Sequence, residues 1–368
     1  MLQYFPIVGI LGPRQSGKTT FSKALCPEYQ YVNFELPATR QMAEQDPLAF
    51  LERYKGGVIL DEIQHVPHLF SYLQVLTDER KINGEYLLTG SQHFLMIEKI
   101  TQSLAGRIAL LTLLPLSGSE FSSGDIDQTI LKGGYPGLYQ KKLNPYDFFQ
   151  SYIATYIERD VRQIINVQNL SQFQRFLLLL AGRAGQVLNV SSLANDTGIS
   201  PKTAESWLSV LEASFVVFRL YPYYKNFNKR ITKSPKLYFY DTGLLCHLLN
   251  IRDIDQFNTH FATGAIVENG VLLELMKFEY NRGKTPHFYY WRDSNSNELD
   301  LIIEDGLKLK AVEIKSSRTF NQDFYKGLHY FKNLVPDAKL YCVYRGETQG
   351  IHAGVNLFNV KDVIKIME

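Results

Sequence analysis

A chain of 368 residues, 45% hydrophobic and 21% charged, has the makeup of a globular protein with core enough for two or three domains, and excludes a disordered or fibrous chain. Its net charge of +2 says nothing by itself about nucleic acid, and no apolar run approaches the roughly 18 residues of a membrane span. The three cysteines, Cys26, Cys246 and Cys342, lie too far apart for a disulfide framework or a metal motif, so a reduced, cytoplasmic setting is expected.

The first element is an apolar strand, Phe5 to Leu11, followed directly by Gly-Pro-Arg-Gln-Ser-Gly-Lys-Thr from Gly12 to Thr19. This fits G-x-x-x-x-G-K-[ST], the phosphate-binding loop between a strand and a helix. Gly12 and Gly17 let backbone N–H groups curl around phosphates, where a side chain would obstruct them. Lys18 is placed to reach the β and γ phosphates, and the Thr19 hydroxyl to coordinate Mg²⁺. With this loop opening at Gly12, no secretory signal peptide is expected.

The next informative strand, Gly57 to Leu60, ends in Asp61 and Glu62. A continuous apolar run reads as a strand buried on both faces of a parallel sheet. Asp61 at its end suits the Mg²⁺ shell, and Glu62 suits orienting or polarising an attacking water; the alternative is that both cap a helix over Ile63–Leu76. A third strand, Tyr86 to Leu88, runs into Thr89-Gly90-Ser91-Gln92. Ligands sit beyond the carboxyl ends of parallel strands, so Ser91 or Gln92 is the candidate that senses a γ-phosphate.

Charge is uneven along the middle of the chain. Residues 161 to 240 hold ten basic side chains and three acidic ones, a surplus of seven, and such a local field suits polyanions or is solvated surface. Within this segment, Ser191 to Leu211 reads as two short helices around Gly198, with Ser200 as cap, Pro201 at the first helical position and Ala204, Trp207, Leu208 and Leu211 as the buried stripe. Strands over Phe215–Tyr224 and Lys236–Tyr240, joined by a basic loop from Lys225 to Lys233, would add a wing. Such units serve DNA binding and protein contacts alike. Arg159-Asp160, on a helical run from Tyr152 to Ile165, suits an interdomain pair.

The last third changes character. After an amphipathic helix over Gly264–Leu275 come Phe288 to Arg292, then two strands, Asn297–Glu304 and Leu309–Lys315, read as a hairpin. Period-2 alternation puts Glu313 and Lys315 on one face, and Asp300 on the partner strand can meet Glu313. Two carboxylates converging beside a lysine suit a hard cation and a scissile phosphate, with Glu268 as a fourth member. An exposed charged hairpin face would give the same spacing.

Across nearly its whole length the sequence resembles the prokaryotic AAA+ ATPases of the archaeal-ATPase type. The residues that carry the likeness are Gly12 to Thr20, Leu60-Asp61-Glu62-Ile63-Gln64, Leu88 to Gln92, Ser103 to Arg107, Leu113 to Ser117 with Glu120, Gly264 to Asn269, Trp291-Arg292, Glu298-Leu299-Asp300 and Val312 to Lys315. The resemblance implies an α/β fold: a P-loop parallel sheet with helices on both faces over 1–125, a helical and winged-helix domain over 126–255, and a restriction-endonuclease-like α/β domain over 256–368. It implies ATP and Mg²⁺ as ligands, bound through Gly12, Gly17, Lys18, Thr19, Thr20, Asp61 and Ser91, and a homo-oligomeric or switch-like ATPase. Glu62 takes a catalytic place, as does Arg107, which completes an ATP site in cis or from a neighbouring subunit, or else forms a structural salt bridge. The C-terminal set is Asp300, Glu313 and Lys315 for catalysis, with Asp300, Glu313 and Glu268 toward a metal. Two readings stay open: an ATP-driven protein acting on nucleic acid with a cutting or gripping C-terminal domain, and an ATP-dependent switch or scaffold whose nuclease-like domain is structural.

Overall fold

The computed structural model describes residues 1–91, 103–120, 125–158, 169–224 and 233–368. The chain divides into two compact units, Met1–Pro115 with Val210–Phe215, and Leu116–Ser209 with Val216–Glu368. Gln92, Arg159, Asp160, Arg162, Lys225, Lys229 and Arg230 lie outside the described residues.

In the first unit, strands β1 (Ile7–Leu11), β2 (Gln30–Asn33), β3 (Val58–Asp61), β4 (Tyr86–Gly90) and β5 (Ile108–Thr112) form one sheet in the order β2-β3-β4-β1-β5. Every pairing is parallel. β1, β3 and β4 are buried at each position, which is why each reads as an unbroken apolar run. The register pairs Leu11 with Gly90 and Leu60 with Leu88, so Gly12, Asp61 and Ser91 leave the sheet at the same carboxyl edge. Helices α1 (Lys18–Leu25), α2 (Pro37–Gln45), α3 (Pro47–Glu52) and α4 (Leu69–Arg80) flank it. The helix expected over Ile63–Leu76 is instead a single 3-10 turn, Ile63–His65, and then α4. Pro67 explains the break: it pushes Val66 out of the helical region, to φ −133° and ψ 59°.

The second unit opens with helices α5 (Ile126–Lys132), α6 (Pro136–Gln140), α7 (Pro145–Tyr152), α8 (Leu170–Ala181), α9 (Val190–Thr197) and α10 (Pro201–Ala213). Gly198, left-handed at φ 79°, ends α9, and the Thr203 N–H donates to Ser200 Oγ at 3.0 Å, capping α10. Trp207 turns inward and meets Phe173 and Phe176 of α8 edge-on, at 5.4 and 5.2 Å between ring centroids. A two-stranded antiparallel pair follows, β6 (Val217–Leu220) with β7 (Lys236–Phe239).

Helices α11 (Thr242–Leu248), α12 (Ile254–Thr259) and α13 (Thr263–Tyr280) lead to a six-stranded mixed sheet. Its strands β8 (Phe288–Arg292), β9 (Glu298–Asp305), β10 (Lys308–Lys315), β11 (Lys339–Tyr344), β12 (Gly350–His352) and β13 (Val355–Asn359) lie in the order β12-β13-β11-β10-β9-β8. β9 and β10 are the expected antiparallel pair, and β10 then runs parallel to β11, joined across helix α14 (Lys326–Leu334). α13 is not amphipathic as expected. Its consecutive residues Asn269 to Leu273 are all buried, so this turn of the helix is covered on every side, while Gly264 near its start is exposed.

One ion pair sits deep in this unit. Arg345 Nε donates to Asp127 Oδ1 at 2.9 Å, and Arg318 and Arg345 both donate to Oδ2. Burial would raise the Asp127 carboxyl, but the hydrogen bonds from Arg345 and Arg318 hold it below the usual carboxylate range. Asp127→Ala strands the buried Arg345 guanidinium and should cost about 3–5 kcal/mol in urea unfolding, whereas Arg318→Ala, whose side chain is 62% exposed, should cost under about 1 kcal/mol. Because the folded-state value is depressed, this stabilisation is present above the ordinary aspartate range and is lost as pH falls through the folded value.

Candidate nucleotide site and a second carboxylate cluster

β1 hands the chain to the loop at Gly12, and α1 begins at Lys18. Gly12 admits no side chain, because a Cβ there would stand 2.1 Å from the Leu113 carbonyl oxygen. Gly17 is left-handed at φ 98° and precedes α1 without a side-chain cap, which leaves the first-turn N–H groups open to an anion. Lys18 Nζ donates to the carbonyls of Gly12 at 3.1 Å and Pro13 at 2.8 Å. Burial lowers the Lys18 ammonium to about 8, opposed by Glu62 and Asp61 and assisted by Arg14. Ser16 Oγ is buried in the same loop with no hydrogen-bond partner among the described residues, and an orphaned hydroxyl here fits a phosphate oxygen. Thr20 lies in the first turn of α1 and is exposed.

Asp61 is buried and accepts from three hydroxyls. Thr19 Oγ1 lies 3.1 and 3.0 Å from its two carboxylate oxygens, Tyr31 Oη is 2.6 Å from Oδ2, and Thr89 Oγ1 donates to Oδ1. Thr19 and Asp61 are 42 residues apart in sequence, and the sheet brings them together at the loop. Mg²⁺ accompanying a nucleotide fits this pair, since both offer hard oxygen donors on one side of the phosphate loop. Tyr31 was not among the expected residues. It ends up here because β2 lies beside β3 with Tyr31 opposite Ile59, and no local signal marks that pairing.

Glu62 adopts a left-handed backbone, φ 56° and ψ 47°, uncommon for a residue with a side chain and concentrated at functional sites. Its N–H donates to Thr89 Oγ1 at 3.3 Å, Ser91 Oγ donates to its Oε2 at 3.1 Å, and Gln64 Nε2 donates to the same oxygen. Gln64 also reaches Ser91 Oγ at 3.4 Å, so Glu62, Gln64 and Ser91 form one polar group at the sheet's carboxyl edge. Glu35, Glu62 and His65 further place one ligand atom each within 4.8 Å of one another.

Arg107 lies elsewhere. It immediately precedes β5, where Ile108 pairs with Ile7 at the start of β1, while the phosphate loop leaves after Leu11. That separation is about five residues of strand, roughly 15 Å along the sheet. The guanidinium is engaged by Asp78 of α4, with Nε–Oδ1 at 2.6 Å and Nη2–Oδ2 at 2.7 Å. The expectation that Arg107 completes the site in cis is therefore overturned by the parallel register.

The C-terminal residues gather on β9, β10 and α13. Asp300 Oδ2 accepts from the Ile314 N–H at 2.8 Å, Lys315 Nζ donates to Glu313 Oε1, and Glu313 Oε2 is buried with no partner among the described residues. Burial and then the Asp300 charge push Glu313 up to about 8, against Lys315. The same two influences push Glu268 up to about 7, against Lys236 and Tyr238. Lys236, on β7, was not foreseen in this place. Its ammonium lies 2.6 Å from Glu298 Oε1, 3.3 Å from Glu268 Oε1 and 4.0 Å from Asp300 Oδ1, with a side chain only 4% exposed. Among the described residues, Glu268, Asp300 and Glu313 do not draw their oxygens within 4.8 Å of one another. As arranged, the expected metal set holds an ammonium among its carboxylates and does not fit a metal ion.

Of the basic segment, Arg183 is paired with Asp196, Arg219 with Glu205, and Lys236 is buried in the cluster just described. Arg175, Lys202 and Lys233 remain exposed.

Residues 4–122 match the family described as an AAA domain, and residues 123–255 and 263–362 match two domains of unknown function (DUF8612 and DUF4143). Uncharacterized proteins of Mycobacterium bovis and Mycobacterium tuberculosis are each 32% identical over 348 residues, covering 93% of this chain and 77% of theirs. An uncharacterized protein of Haemophilus influenzae is 23% identical over 311 residues, covering 78% of this chain and 72% of its own. A signal transduction ATPase with numerous domains from Pyrococcus horikoshii aligns over 76% of this chain and 46% of its own at 12% identity, with a TM-score of 0.21, too low to carry an argument.

Lys18 must be charged to meet a phosphate, and it loses that charge above about 8. Affinity for a fluorescent nucleoside triphosphate should therefore fall by about tenfold per pH unit above that point. Glu62→Gln removes a charge that raises Lys18, so the break should move to lower pH. A profile flat from pH 7 to 9.5 in both proteins would refute the assignment.

Proposed function

The chain belongs to the family of these uncharacterized mycobacterial proteins, with an AAA domain at its start, and from that premise we propose an ATP-hydrolysing protein that acts on nucleic acid. The observation that carries the ATPase reading is the meeting of Thr19 with Asp61, 3.0 Å apart, beside a buried Lys18 and an orphaned Ser16 hydroxyl. Gly12 and Gly17 shape the loop, the first turn of α1 including Thr20 faces the phosphates, and Lys18 exchanges its two carbonyl partners for phosphate oxygens. Thr19 and Asp61 would hold a Mg²⁺ ion, which would supply positive charge to offset that of the triphosphate. Glu62 orients the attacking water and accepts its proton, and Ser91 with Gln64 fixes the Glu62 carboxylate and registers the state of the γ-phosphate. Arg107, paired with Asp78 at the far edge of the sheet, either serves a neighbouring copy in a homo-oligomer or is a structural salt bridge.

Lys18→Ala should abolish nucleotide binding. Glu62→Gln should preserve binding and lower the hydrolysis rate by about 10²–10⁴. Equal loss of binding in both variants, or full turnover in Glu62→Gln, would sink the assignment of Glu62.

In this reading the chain comprises an ATPase domain over 1–125, a helical and winged-helix domain over 126–255 and a nuclease-like domain over 256–368, working in the cytoplasm. Contact with nucleic acid falls to the exposed Arg175, Lys202 and Lys233, supported by the two-helix turn and the β6–β7 pair beside it. Lys202→Ala should weaken binding to duplexes of unrelated sequence alike and reduce the salt slope by about one, measured by fluorescence anisotropy. Glu62→Gln, remote in role, should leave that slope unchanged.

Asp300, Glu313 and Lys315 have the residue types of metal-dependent phosphodiester cleavage, with Glu268 beside them. The arrangement does not fit a metal, and no cleavage step is assigned. That observation favours a second reading, in which ATP drives a switch or scaffold that binds DNA or a protein partner and does not cut.

A further inference from the structure

We propose that Lys236 is the built-in counter-ion of the C-terminal carboxylate cluster, and that its ammonium, rather than a divalent cation, neutralises these carboxylates in the folded chain. This rests on reading Asp300 and Glu313 as a potential cation site. Four carboxylates, Glu268, Glu298, Asp300 and Glu313, come from one helix and two strands, and burial of such groups demands positive charge. Lys315 serves Glu313. Lys236 serves the other three, at 2.6, 3.3 and 4.0 Å, in the position where a metal would join the helix carboxylate to the strand carboxylates. An ammonium and a divalent ion cannot share that space, since like charges a few ångströms apart repel strongly away from bulk water.

Lys236 is also supplied by a different part of the chain from the carboxylates. It opens β7, the second strand of the β6–β7 pair, whose far end is fastened to α13. There Asn269 accepts from the Phe239 N–H and donates to the Phe239 carbonyl, both at 2.8 Å. On the other side of Lys236, Tyr290 Oη donates to the Ser234 carbonyl at 2.7 Å, and the Tyr223 N–H donates to the Tyr290 carbonyl at 2.6 Å. The ammonium is thus held in the cluster by the same strand pair that we assign to the nucleic-acid-binding part. Residue types alone would pass the site as metal-ready, and the geometry makes it closed.

The test is Mn²⁺ binding to nucleotide-free full-length protein by isothermal titration, with Asp61→Asn present throughout, in the parent and in each variant, to silence the phosphate-loop site. Lys236→Met keeps the aliphatic length and removes the charge. It should bind one Mn²⁺ at least tenfold more tightly than its parent, and adding Asp300→Asn should erase the gain. Lys236→Gln, which likewise removes the charge, should give a gain in the same direction and stands in if Lys236→Met does not fold, as judged by circular dichroism. If parent and variants bind Mn²⁺ equally and Asp300→Asn abolishes it, the cation site is real and the excluding role of Lys236 is overturned. If none binds, the cation-site reading itself fails, and the proposal with it.

Discussion

A carboxylate taken out of water has to be surrounded by donors, and Asp61 meets that demand with hydroxyls from three separate elements: Thr19 of α1, Tyr31 of β2 and Thr89 of β4. That one side chain therefore ties the phosphate loop to the strands on either side of β3. The parallel register delivers the donors to a single edge of the sheet, and the order β2-β3-β4-β1-β5 makes them neighbours. The loop and the carboxyl ends of β3 and β4 form a site because a buried charge holds them in one place.

The C-terminal cluster solves the same electrostatic problem by other means. Its carboxylates have few hydroxyl donors, Tyr238 to Glu268 being one, and are balanced by ammonium groups instead. The hydroxyl donors around Asp61 bring no charge of their own. Lysines cancel the charge and occupy the space. Two groups of acidic residues in one chain are thus balanced in different ways, one by hydroxyls and the other by ammonium groups.

Several features were legible along the chain because they are local. The apolar runs of β1, β3 and β4, the loop from Gly12 to Thr19, the Ser200–Pro201 start of α10 and the β9–β10 pairing each follow from residues within a few positions of one another. Errors arose where a local pattern was read past its stopping signal or beyond its neighbours. Pro67 divides what apolar spacing joined into one helix. α13 looks amphipathic in isolation, yet its middle turn, Asn269 to Leu273, is buried on every side. Arg107 follows a suggestive run of residues, but only strand register tells which edge of the sheet it occupies.

By itself, the sequence determined that a phosphate loop stands between a buried strand and a helix, with an acidic strand end to match, since backbone conformation and burial period are written in adjacent residues. It also supplied the carboxylates of the C-terminal cluster. Tertiary structure alone decided that Tyr31 joins Asp61, that Arg107 pairs with Asp78 and that Lys236 lies among Glu268, Glu298 and Asp300. Those contacts join residues 29 to 64 positions apart, and their energies depend on distance and desolvation in the folded state, which sequence spacing does not encode.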